Sequence, residues 1–180
     1  MARRLSELVK RELAQDPEIT GVTADSRKVK PGALFAALPG TNADGRAFAR
    51  QALAQGAAAI IAESEIEGVD APTIVTPDPR RAYALAAAAY FRAQPDVCVA
   101  VTGTNGKTSV ATFCRQIFSR LGRNAASMGT LGVRTAAEQL TPPGLTTPDA
   151  ADVAELLAEL VGKGVTHLAL EASSHGIDQR

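Results

Sequence analysis

Excess charge, cysteine and long apolar runs are what this sequence has little of, and each shortage closes off a class of function. Nineteen basic side chains balance nineteen acidic ones across 180 residues. No global field therefore favours nucleic acid or an anionic membrane, and affinity for a charged ligand has to be built locally. The two cysteines, Cys98 and Cys114, stand in neither a Cys-x-x-Cys nor a metal-binding spacing. They read as reduced core thiols, one in a buried strand and one on the apolar face of the next helix. No apolar run reaches the roughly eighteen residues of a membrane span, and no continuous apolar segment follows the basic start at Arg3 and Arg4, so a soluble, cytoplasmic protein is expected. Internal repeats are absent, and no Ser-His-Asp or Cys-His set with a workable geometry emerges, which argues against covalent hydrolase chemistry.

What is present is a globular balance, 46% hydrophobic and 21% charged, and one stretch around which the chain is organised. Val97 to Thr102 is an apolar strand that breaks into Gly103-Thr104-Asn105-Gly106-Lys107-Thr108-Ser109. Backbone N–H groups in such a turn point inward, the following helix adds the positive end of its dipole, and a lysine supplies mobile charge for outer phosphates. Thr108 would put its hydroxyl on a magnesium ion. The common phosphate loop has a glycine where this chain has Val101, so the loop is a shortened variant, and an ordinary strand-to-helix turn with an exposed lysine is the alternative. Val110, Phe113, Cys114, Ile117, Phe118 and Leu121 then recur with helical spacing, which supplies the helix that a phosphate loop requires.

The remaining chain reads as alternating elements. A short amphipathic helix carries Leu5, Leu8, Val9 and Leu13, and strands are expected over 19–25 and 33–38. The turn-forming segment 39–45 is followed by a helix over 46–55 and strands over 57–62 and 72–76. Asp78-Pro79 opens an alanine-rich helix that Gln94-Pro95-Asp96 stops. This predicts a small mixed α/β domain over 1–94 and a second domain over 95–180. The second half continues with a strand over 123–128, a glycine- and proline-punctuated hairpin region over 129–143, and a helix bearing Val153, Leu156, Leu157, Leu160 and Val161. A strand over 166–170 then delivers Glu171-Ala172-Ser173-Ser174-His175-Gly176. That order belongs to a doubly wound parallel sheet of the phosphate-loop type.

Ligands of such sheets bind beyond the carboxyl ends of the strands. There Glu171 could offer a carboxylate to magnesium or be a solvated strand-end charge. His175 could bind phosphate or metal, or make a local hydrogen bond. Thr146 and Thr147 are placed to cap the helix after Pro148, which is compatible with substrate contact.

Taken together, Thr102 to Ser109 resembles the ATP loop of the Mur ligases, which has this short spacing. Asp25-Ser26-Arg27, Pro31-Gly32-Ala33-Leu34-Phe35 and Gly40 followed by Asp44-Gly45 resemble the uridine-binding N-terminal domain of that family. Thr146-Thr147-Pro148-Asp149 and Glu171 to Gly176 are most similar to the branch that adds the third peptide residue, usually meso-diaminopimelate, to UDP-N-acetylmuramoyl-L-alanyl-D-glutamate. The resemblance implies an ATP- and Mg2+-dependent ligase of peptidoglycan synthesis that joins UDP-N-acetylmuramoyl dipeptide to an amino acid through an acyl phosphate.

It further implies that Ser26, Thr41, Asn42 and Ala43 contact the UDP part. Gly103, Thr104, Asn105, Gly106, Lys107, Thr108 and Ser109 would hold ATP, with Thr108 and Glu171 on the metal and Lys107 and Glu171 acting in catalysis. Thr146, Thr147, Ser173 and Gln179 would hold the muramoyl peptide; Leu145 stands where relatives carry an asparagine, so that contact does not transfer. The family's carbamate lysine and amino-acid-binding domain have no counterpart within Met1 to Arg180, so an N-terminal portion, inactive by itself, is expected. Lysine in place of diaminopimelate, and a non-catalytic nucleotide or UDP-sugar-binding module, remain alternatives, and oligomeric state is open.

Overall fold

The segment Ala33–Ala37 is apolar and buried at all five positions. In a strand, this pattern means cover on both faces, as in a parallel sheet. The computed structural model describes residues 2–40, 44–142, 144 and 147–178, the side chains of His175 and Asp178 excepted. The chain divides into two units, Met1–Tyr90 and Phe91–Arg180.

The first unit opens with β1 (Arg3–Arg4), α1 (Leu5–Val9) and β2 (Glu18–Ile19), the two strands forming a small antiparallel pair. The expected helix through Leu13 ends at Val9 because Lys10 turns left-handed, φ 52°. The expected strand over 19–25 is split, and its second part is β3 (Gly21–Thr23). With β4 (Ala33–Ala37), β5 (Ala59–Ala62) and β6 (Thr73–Val75) it makes a sheet ordered β3-β4-β5-β6, parallel throughout. Parallel neighbours need crossovers. Between β4 and β5 the crossover is a 3-10 turn, Gly45–Phe48, running into α2 (Ala49–Ala54).

Phe35, Ile60, Ala62, Ala49 and Ala52 pack together on the α2 side, and period 2 turns Leu34, Ala36 and Ile61 to the other face, equally buried. After β6, α3 (Pro79–Phe91) starts at Asp78, whose carboxylate accepts from Arg81 N–H at 3.0 Å. It buries Tyr83, Ala86, Ala87 and Tyr90, so the alanines serve close packing. The Tyr90 hydroxyl donates to the Thr20 carbonyl at 2.6 Å.

The second unit runs β7 (Val97–Val101), α4 (Lys107–Arg120), β8 (Ala125–Gly129), β9 (Gly132–Thr135), α5 (Ala150–Gly162), β10 (His167–Glu171) and α6 (Ser174–Asp178). Its sheet is ordered β7-β10-β8-β9, with β7, β10 and β8 parallel and β9 an antiparallel edge paired to β8. The last strand of the unit is thus inserted between the first and the second. Ala126, Met128, Val133 and Leu168 pack with Leu160, and Val153, Leu156 and Leu157 close over them, on the α5 face. The opposite face carries Ser127, Ala169 and Glu171 toward α4, where the Phe118 and His167 rings meet edge-on at 4.9 Å.

Two expectations are corrected here. Cys98 is exposed and Cys114 half-buried, where both were expected in the core; among the described residues β7 has a neighbour, β10, on one side only. The apolar stripe of α4 also faces outward: Val110, Phe113, Ile117 and Leu121 are exposed, whereas Ala111 is buried. The rotation of α4 is set at its first turn, where Thr108 meets β10, and Ala111 and Arg115 continue that face. Among the described residues no helix is long and apolar enough to cross a membrane.

Phe35 is 1% exposed at the centre of the first unit. Phe35→Ala should cost roughly 3–5 kcal/mol of folding stability, measured by denaturant titration.

Candidate functional site

The loop between β7 and α4 is built by two glycines in the left-handed half of conformational space. Gly103 has φ 137° and Gly106, the residue before the helix, φ 80°. No side chain caps α4. Its first backbone N–H groups, from a helix of fourteen residues, are therefore available to an anion. Residues 102–106 are exposed. Lys107 folds back over the loop, its Nζ donating to the Gly103 carbonyl at 2.7 Å and to that of Thr104 at 3.4 Å. Thr104 and Asn105 lie along the same exposed turn, and Ser109 is exposed in the first turn of α4.

Sheet order places Glu171 beside this loop. It ends the strand next to β7, paired with Val101, and lies one residue beyond the Leu170–Met128 pair with β8. Glu171 is only 4% exposed. A buried carboxylate needs donors, and it has them. Thr108 Oγ1 donates to Oε2 at 3.0 Å, Thr130 N–H to Oε1 at 3.1 Å, and Thr130 Oγ1 to Oε2 at 3.2 Å. A Cβ built on Gly129 would fall inside the Glu171 side chain, so a larger residue there would have to move the carboxylate away from its donors. Glu171 is not a solvated strand-end charge. A shallow recess lined by Thr108, Thr112, Ser127, Gly129, Arg134 and Glu171 adjoins it.

This donor set fits magnesium. A carboxylate and a hydroxyl are hard oxygen ligands, and magnesium commonly takes one or two of them while completing its shell with water and phosphate oxygens. Among the described residues no group of three or more His, Cys, Asp or Glu could hold a metal by itself.

The exit of β10 is tied to the segment before α5. Thr147 Oγ1 donates to the Glu171 carbonyl at 3.3 Å, accepts from Ser173 N–H at 3.0 Å, and lies 3.1 Å from Ser173 Oγ. Ser173 Oγ in turn accepts from Gly176 N–H at 3.0 Å. The expected helix cap is therefore shifted: Asp149 caps α5 through Ala151 N–H at 3.0 Å, and Thr147 ties two loops together instead. Thr146, Leu145 and Gln179 lie outside the described residues, as does the side chain of His175.

In the first unit, β3 and β4 are parallel and end at the same edge of the sheet. Beyond β3, Asp25 caps a 3-10 turn over Ser26–Lys28 and grips Arg27 through its backbone N–H, Nε and Nη2 at 2.9, 2.9 and 2.8 Å. Ser26 sits half-buried at this turn. Beyond β4, Asp44 repeats the device with Arg46, which also reaches Ser64 Oγ at 2.8 Å. Gly45 closes the base of that loop: its N–H donates to the Leu38 carbonyl at 2.9 Å, and a Cβ on it would meet the Leu38 backbone. Thr41, Asn42 and Ala43 lie outside the described residues.

Thr130 is the residue at this site that sequence reasoning missed. The pair of glycines around Thr130-Leu131 signals a two-residue hairpin, but contact with Glu171 depends on β8 and β10 being neighbours, which no local pattern encodes.

Comparison with known proteins gives a consistent picture. Residues 18–92 match the profile described as Mur ligase family, catalytic domain, and residues 101–180 that described as Mur ligase middle domain. The chain is similar to the UDP-N-acetylmuramoyl-L-alanyl-D-glutamate--2,6-diaminopimelate ligase of Caulobacter vibrioides, at 66% identity over 186 aligned positions, covering 100% of this chain and 38% of that protein. A solved structure of a ligase with the same name aligns at TM-score 0.86 and 36% identity, covering 99% of this chain and 37% of the other. The MurF ligase of Thermotoga maritima, in complex with ADP, aligns at TM-score 0.57 and 25% identity, covering 85% and 32%. The chain thus spans about a third of the length of these relatives.

Arg27, hydrogen-bonded through its guanidinium, pulls the Asp25 carboxyl down to about 2 from an ordinary 3.8. Its contribution to stability should be complete above pH 3.8 and be lost as pH falls through about 2. Carboxyl NMR titration should find that low midpoint, and Arg27→Ala should return it toward 3.8.

Proposed function

The chain belongs to the Mur ligase family, and on that premise we propose that it serves the ATP-dependent addition of meso-diaminopimelate to UDP-N-acetylmuramoyl-L-alanyl-D-glutamate. Its second unit would bind ATP and its first the UDP end of the sugar nucleotide. The observation that carries this reading is the buried Glu171 carboxylate held 3.0 Å from the hydroxyl of the phosphate-loop threonine, Thr108. A loop that only joined a strand to a helix would have no use for a carboxylate sequestered at its inner edge.

Each residue of the loop then has a task. Backbone N–H groups over 104–109 receive the phosphates, helped by the dipole of α4. Lys107 gives up the Gly103 and Thr104 carbonyls and turns its charge to the outer phosphates, where negative charge grows during transfer. Thr108 and Glu171 would hold magnesium, which when bound supplies further compensation of that charge. The γ-phosphoryl passes to the D-glutamate carboxylate with ADP leaving, and the incoming amine displaces phosphate to form the amide. No protein nucleophile is required.

Thr147 and Ser173, locked to each other beside Glu171, are the described residues proposed to meet the muramoyl peptide. Ser26 is proposed to meet the UDP end, together with Thr41, Asn42 and Ala43.

The test is calorimetric titration of the chain with MgATP and, separately, with UDP-N-acetylmuramoyl dipeptide. Both should bind. Lys107→Met should weaken ATP by about 10- to 100-fold, the worth of a charged hydrogen bond to phosphate, and leave the sugar nucleotide unaffected. Absence of ATP binding by the unaltered chain would overturn the reading.

A further inference from the structure

The β8–β9 turn does more for Glu171 than close a hairpin. Thr130 reaches both oxygens of the carboxylate, N–H to Oε1 at 3.1 Å and Oγ1 to Oε2 at 3.2 Å. A grip at two points fixes the plane of a carboxylate as well as its position. Thr108 holds one oxygen only, Oε2, and alone would let the group rotate.

The turn is itself anchored so that it can impose this orientation. Gly129 and Gly132 face each other as the last pair of the hairpin, and Thr130 and Leu131 form its two-residue loop. Gly132 is left-handed, φ 79°, and is packed so closely under the carbonyls of Thr141 and Pro142 that no Cβ fits. The Thr130 carbonyl accepts from Gly144 N–H at 3.3 Å. With Gly129 leaving its side-chain space to Glu171, the threonine comes down on the carboxylate from a backbone held on both sides.

We infer that Thr130 is a positioning residue for the metal carboxylate: it touches neither nucleotide nor metal, and sets the orientation in which Glu171 meets the cation. The inference rests on the reading of Glu171 as a magnesium ligand. Thr108 cannot fill this role, because its oxygen would itself serve the cation and belongs to a loop that also has to accommodate phosphates. Thr130 lies on a separate element and holds the carboxylate whether or not the loop is occupied. Outer partners of ligating groups commonly contribute about 10- to 100-fold to metal affinity.

The experiment measures the magnesium concentration that gives half-maximal ATP binding, by calorimetry at a series of Mg2+ concentrations, for the unaltered chain, Thr130→Val, Thr130→Ser and Glu171→Gln. Thermal melts accompany each variant to confirm folding. Thr130→Val, which keeps the shape and the backbone N–H but loses the hydroxyl, should raise the half-maximal magnesium concentration about tenfold. Metal-free ATP affinity should stay unchanged, and Thr130→Ser should restore the original value. A Thr130→Val midpoint equal to that of the unaltered chain, or a serine variant as defective as the valine one, would overturn the inference alone. If Glu171→Gln leaves magnesium dependence untouched, or if the unaltered chain shows none, the reading of the site falls and this inference with it.

Discussion

A carboxylate placed at the inner end of a central strand must be supplied with donors, because the sheet on either side has none to spare. Much of the second unit is arranged around that requirement for Glu171. The strand order inserts β10 between β7 and β8, so that one flank of the carboxylate is the start of α4 and the other is the β8–β9 turn. Thr108 comes from the first and Thr130 from the second. The rotation of α4 follows from the same contact. With Thr108 turned inward, Ala111 is the residue that packs on the sheet, and the larger apolar residues Phe113 and Ile117 look outward.

The first unit solves a different problem with a device it uses twice. At the carboxyl ends of β3 and β4, where loops need a defined shape, an aspartate caps a 3-10 turn and is clasped by the arginine two residues later. In Asp25-Ser26-Arg27 and Asp44-Gly45-Arg46 alike, one carboxylate serves a backbone N–H and a guanidinium together. Both pairs are substantially exposed. They therefore do more to shape the loops than to stabilise the unit, since ion pairs in water are worth little.

What the sequence made legible was whatever is encoded locally. The strand, glycine-rich loop and helix over 97–120 have a period and punctuation of their own, and Asp78-Pro79 announces α3 in two residues. Glu171 at its strand end was also within reach. The errors share one cause, which is that they depended on neighbours distant in the chain. Burial of Cys98 is expected from its apolar strand, but among the described residues β7 has a partner on one side only. The spacing of apolar residues marks α4 as an amphipathic helix, but periodicity cannot say which face a tertiary contact will choose. The cap of α5 fell on Asp149 because Thr147 is drawn away to Ser173, 26 residues later. Thr130 was invisible for the same reason: 41 residues separate it from the carboxylate it holds.

The missing side chain at Gly129 also bears on how this sequence can vary. The space a β-carbon would take at position 129 is filled by Glu171, so the two positions share a single volume. Enlarging the first would push the carboxylate aside, and shortening the second to aspartate would draw it back from Thr108 and Thr130. Neither position is free to drift by itself. Across related sequences they should behave as one two-letter character, read jointly, although 42 positions separate them in the chain.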